Sequence, residues 1–161
     1  MTVDPKVTLR LQFLVRVVRK ECKHLAATDH RLFGDKLTLE QVTRLEESPD
    51  LSERVEAFVS RFGRLQDTVG DKLLPLLLVA LGERSLSNID NLDRAERLVL
   101  LKSADEWMVM RGLRNHMVHE YVEDPAVLMG ALQAGHSFVP VLISNANKMC
   151  AEIELRGWLN D

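Results

Sequence analysis

The stretch "MRGLRNHMVHEYVEDP", Met110 to Pro125, holds two arginines, two histidines and the only tyrosine of the chain. Guanidinium groups match phosphate oxygens in shape and charge, and an imidazole can move a proton near neutral pH. Two arginines with a histidine on one surface would therefore suit a phosphate group. At about 100° per residue, Met110, Leu113 and Met117 gather on one side of a helix, and Arg114, Val118, Arg111, Asn115 and His119 follow in that order on the other. This predicts that the polar groups face solvent or a partner. Arg114 and His119 are about 140° apart around one helix, so they do not converge easily within a single chain. His116 falls on another flank, where it suits the helix end, and Tyr121 would by default pack its ring under the following loop. An exposed Arg, Asn and His is also what ordinary solvated surface looks like.

Helices must position these groups. Val7, Leu11, Leu14, Val18, Cys22 and Leu25 recur at steps of three and four behind Asp4-Pro5, a cap followed by a first-turn proline. The segment "GDKLTLEQVTRLEESPD" predicts a short helix with Thr38 and Gln41 in capping-box spacing, ending near Pro49. From Leu51 to Leu81 the apolar stripe keeps phase across Pro75, which predicts a kink there and not an end. The polar run "GERSLSNIDNLD", Gly82 to Asp93, reads as a loop. A third helical region covers Leu92 to His119, with a second cap on offer in "KSADEW" near Ser103. A fourth starts at Pro125 behind Asp124, bends around Gly130, Gly135 and Pro140, and reaches about Trp158. No segment has a strand period, a Gly-rich phosphate loop or a repeat. The expected fold is all-α, an antiparallel four-helix bundle with one short extra helix, in a single domain over 1–161.

The 161 residues are 46% hydrophobic and 28% charged, which suits a globular chain and excludes a disordered or fibrous one. A net charge of −3 excludes a global basic field, so a nucleic acid would need a local patch. Two patches qualify: Arg10, Arg16, Arg19, Lys20 and Lys23 in the first helix, and the Met110–Pro125 stretch. Either can equally be a solvated helix face. Cys22 and Cys150 form no CxxC pair and read as reduced thiols, and no metal-ligand cluster is legible. The N-terminus "MTVDPKVTLR" lacks a signal-peptide core, and "LLPLLLVAL", Leu73 to Leu81, is too short to cross a bilayer. The expectation is a cytoplasmic protein without membrane contact.

The string "RNHMVHEY", Arg114 to Tyr121, resembles the HEPN superfamily motif of an Arg, four residues, a His, any residue and a Tyr. The likeness is greatest to the HepT-like toxins paired with a minimal nucleotidyltransferase antitoxin. Asn115 directly after the arginine and Asp124 beyond the tyrosine fit the same pattern. Arg111 and His116 share the Arg–His separation, but only Arg114 and His119 place a tyrosine two residues after the histidine. "RFGRLQDTVGDKLLP", Arg61 to Pro75, is similar in character to the second helix of these toxins. The resemblance implies a metal-independent ribonuclease without cofactor, built as a homodimer whose motif helices face each other across a cleft. It implies His119 as general acid or base at the RNA 2′-hydroxyl, Arg114 as the group that neutralises phosphate charge, Asn115 as an orienting group, and Arg111 as a secondary phosphate contact. It makes Tyr121 the acceptor of AMP groups from the antitoxin. The alternative of a different class is a noncatalytic helical subunit that binds substrate for a nucleotidyltransferase or serves dimerisation.

Overall fold

The computed structural model describes residues 2–119 and 123–160, and among them every regular element is helical. Helix α1 (Pro5–Phe33) starts where the Asp4 carboxylate accepts from the Lys6 amide at 2.8 Å. Helix α2 (Leu39–Thr43) opens with the expected capping box, the Gln41 amide donating to Thr38 Oγ1 at 3.2 Å and the Thr38 amide to Gln41 Oε1 at 2.9 Å. After a 3-10 turn (Leu45–Glu47), α3 (Pro49–Asp67) runs through a π turn (Thr68–Leu73) into α4 (Leu74–Ala80). The chain thus stays helical across Pro75. Its irregularity lies in the preceding turn, where the Leu74 amide reaches back to the Val69 carbonyl. A widened turn absorbs the crowding that proline imposes on the residues before it.

Two expected boundaries move. Helix α5 (Asn88–Arg97) begins inside the run read as a loop, because Ser87 Oγ accepts from the Asp90 amide at 3.3 Å and starts a helix with few apolar positions. Buried Asn91 then clips the short loop ahead of it, accepting from the Leu86 amide at 2.8 Å. The third region breaks at the cap on offer near Ser103, α6 (Ala104–His119) starting where Ser103 Oγ accepts from the Glu106 amide at 3.1 Å. Helix α7 (Pro125–Leu155) is continuous through Gly130, Gly135 and Pro140 and stops a turn short of Trp158. Asp124 caps it by accepting from the Ala126 and Val127 amides at 3.0 and 3.3 Å.

Helix α1 lies against α3, the π turn and α7, while α6 lies against α7, α3 and α5. Helix α7 touches most of the others, and its apolar composition follows from that position. With a mean hydropathy of 1.6 over its richest window it is long and apolar enough to cross a membrane, which the shorter Leu73–Leu81 run is not. Its buried residues, among them Leu132, Leu142 and Met149, belong to the same core as Leu14, Phe58 and Trp107. Cys22 and Cys150 are free and buried in that core. Burial pushes their thiols up to about 12 and about 11, so both stay protonated and unreactive.

The turn that separates α5 from α6 carries backbone strain. Leu100 and Val99 amides donate to Ala95 and Glu96 carbonyls at 2.9 and 3.1 Å, a helix-ending turn that places Val99 at φ 61°. Glycine is the residue that normally fills this left-handed position, and a β-branched one costs about 1–2 kcal/mol there. Val99 is 73% exposed and offers little packing in return. Val99→Gly should therefore raise the unfolding free energy by about 1 kcal/mol in a denaturant titration.

Candidate active site

Helix α6 sits in notches cut by glycines. On α3 and the π turn, a Cβ at Gly70 would come within 3.2 Å of the Trp107 ring, and one at Gly63 within 2.7 Å of Arg114 Nε. On α7, a Cβ at Gly135 would collide with the end of Met117. Trp107, Met110 and Met117 are completely buried by this approach. Between the two α3-side notches, Gln66 Nε2 donates to the Met110 carbonyl at 3.3 Å.

Arg114 lies across Gly63 and forms an ion pair with Asp67. One turn away, Arg111 pairs with Asp71 at 3.1 Å. The arginines are thus 32% and 30% exposed, held between two helices by carboxylates. This corrects the expectation that both point away from the core. Trp107, left out of the apolar arc, lies only about 20° from Arg114 around the helix and brings the arginine into the packed side. Asp67 and Asp71, unassigned on sequence grounds, stand four residues apart in "GRLQDTVGD", and the glycines beside them were the available signal.

Asn115, His116 and His119 are exposed, and among the described residues none of their side chains makes a hydrogen bond or ion pair. Both histidines stand in the last turn of α6. No bond joins Arg114 to His119, so within the chain the motif is divided into a clamped arginine and an open histidine. Tyr121 lies outside the described residues. Asp124 acts as the α7 cap. The outer side of α6 also carries Met108, Val109 and Val118, each 42% exposed or more. Among the described residues no group of three metal-ligating side chains gathers.

Behind the arginine seam, Glu21 of α1 accepts from Thr68 Oγ1 at 2.9 Å. Burial, with the Asp67 charge adding a little, raises its carboxyl above the ordinary value, opposed in part by the Thr68 bond and the charges of Arg64 and Lys72. Compared with known protein families, curated proteins and solved structures, the chain matches none.

Two stability predictions arise here. Arg114→Ala and Asp67→Ala should each cost about 1 kcal/mol, and the double variant should cost less than their sum, whereas His119→Ala should leave the melting temperature unchanged. Glu21 is the reverse case. Because its folded pKa is raised, the folded state binds the extra proton between the unfolded value of 4.5 and the raised one, and stability falls as pH rises through that window. Glu21→Gln should be more stable than the parent at pH 7, and the gain should vanish below about pH 4.

Proposed function

We propose that the protein is a metal-independent ribonuclease of the HEPN type, a HepT-like toxin whose partner is a minimal nucleotidyltransferase antitoxin, working in the cytoplasm. The observation that carries this reading is the spacing of Arg114, Asn115 and His119 on the last turns of α6, with Tyr121 two residues further on in the sequence. The fold in this reading is an antiparallel four-helix bundle of α1, α3 with α4, α6 and α7, to which α2 and α5 are additions. His119, open to solvent, takes the proton from the 2′-hydroxyl or returns one to the leaving oxygen. Arg114, fixed by Asp67 through part of its fork, presents its remaining N–H donors to the phosphate, and Arg111 supplies a second contact. Asn115 orients the reacting groups. The dependence on the 2′-hydroxyl restricts the substrate to RNA.

A homodimer completes the site. Met108, Val109 and Val118 leave apolar surface on the same side of α6 as Asn115 and His119, and burying it against a second copy would set one chain's histidine beside the other's arginine. Tyr121 accepts AMP groups from the antitoxin, and the added phosphates would fill the groove meant for RNA.

One observation favours a second reading. The two arginines are each neutralised by an aspartate, which is what a packing role for Arg114 in a noncatalytic, substrate-presenting or dimerising subunit would require. Cleavage separates the two. In the ribonuclease, His119→Ala abolishes RNA cutting without changing stability, His116→Ala retains most of it, and activity persists in excess EDTA; equal loss from both histidine changes assigns the motif to structure. Coexpression with a candidate antitoxin should add AMP masses that Tyr121→Phe removes while most nuclease activity remains.

A further inference from the structure

The charge of this chain is divided unevenly. Helix α1 holds seven lysines and arginines against two acids, while the whole chain is at −3, so the remainder carries all of the negative balance. Its outer face is correspondingly one-signed. Leu9, Phe13, Arg16, Lys20 and Lys23 fall within about 80° of arc, with Lys6 and Arg10 at its edge. All of these are exposed, and Arg10 stands 5.0 Å from the Phe13 ring centre.

The cations of this face are not compensated. Among the described residues Lys6, Arg10, Arg16, Lys20 and Lys23 form no ion pair, and only Arg19, on the α7 side, is taken, by Glu154 at 3.4 Å. Elsewhere Arg44, Arg54, Arg94, Arg111, Arg114 and Arg156 have acidic partners, and unpaired cations among the described residues such as Arg84, Lys102 and Lys148 lie in different segments of the chain rather than along one helix. Glu21, the single acid between Lys6 and Lys23, is turned inward to Thr68, where Arg64 and Asp67 of α3 and Lys72 of the π turn surround it. Both of those cations are exposed and widen the basic surface toward α6.

We propose that this outer face of α1, with Arg64 and Lys72 beside it, is a docking surface for the phosphate backbone of single-stranded RNA, distinct from the cutting residues on α6. The choice of RNA rests on the ribonuclease reading. The motif alone attracts a polyanion weakly, because Asp67 and Asp71 offset its arginines. From Lys6 to Lys23 the helix gives about 26 Å of cationic track, in scale with the smaller single-strand sites, and Phe13 offers a ring on which a base can stack. A lipid surface fits less well. The apolar side of α1, including Leu11, Leu14 and Val18, is buried in the core, and Leu9 and Phe13 are all that remains to enter a membrane.

The test is binding of the full chain to a fluorescent single-stranded 2′-O-methyl RNA, which a 2′-hydroxyl mechanism cannot cut, so that docking and cleavage are scored separately. Arg16→Glu/Lys20→Glu/Lys23→Glu should weaken binding by about tenfold or more near physiological salt and flatten the log K against log salt slope by about two. The corresponding triple glutamine variant should show a smaller loss in the same direction. Arg84→Glu/Lys102→Glu/Lys148→Glu makes the same change in net charge at exposed positions elsewhere and should bind as the parent does. Equal loss from both triple glutamate variants, no loss from either, no binding by the parent, or binding to phosphatidylserine vesicles in preference to RNA would each overturn the proposal. Docking on α1 in a protein that cuts no RNA would leave it standing and remove the ribonuclease reading instead. Cutting of long RNA undiminished by the α1 triple glutamate change would do the opposite.

Discussion

The close approach of α6 to α3 governs the C-terminal part of this molecule. It exists because Gly63 and Gly70 present bare backbone two turns apart, so that Arg114 can lie across one and Trp107 press on the other. Gly135 does the same from α7 for Met117. A helix seated from both sides has little freedom to rotate, and its outward groups inherit that rigidity. Asn115 and His119 are therefore presented by a helix whose orientation is fixed by three missing side chains and one pair of cross-helix ion pairs.

What was legible in the sequence was local. Asp4 before Pro5, Thr38 with Gln41, Ser103 and Asp124 before Pro125 each mark a helix start through bonds spanning two or three residues, and each start is where those residues predict it. The Ser87 cap has the same chemistry but was hidden, since α5 exposes most of its surface and gives hardly any apolar period to look for. The widened turn ahead of Pro75 was half legible. Proline signals a disturbance, but whether a helix answers with a bend or with a π turn depends on what packs against it, here α1 and Trp107.

The orientation of Arg114 was the nonlocal part. Its partner Asp67 is 47 residues away, and nothing in the motif itself indicates that a glycine on another helix will open a berth for a guanidinium. Amphipathic reasoning sorts side chains into apolar and polar, whereas arginine can be both, laying its stem on the neighbouring helix while its head finds a carboxylate at the rim. The division between half-buried and exposed polar groups on α6 consequently runs between Arg114 and Asn115, adjacent in sequence.

That division bears on how a phosphodiester could be handled. An arginine held by an aspartate is placed well but its field is largely cancelled at a distance, because an approaching anion meets both charges together; only at contact, where the unused donors of the fork point outward, does the guanidinium act as a binding group. Placement and attraction are then separate tasks. On this chain the positioned arginines lie on α6, while the densest run of cations without an acidic partner lies along α1, with α3 packed against both helices. On the ribonuclease reading, a strand long enough to reach both sets would gain from both, and a short one would not.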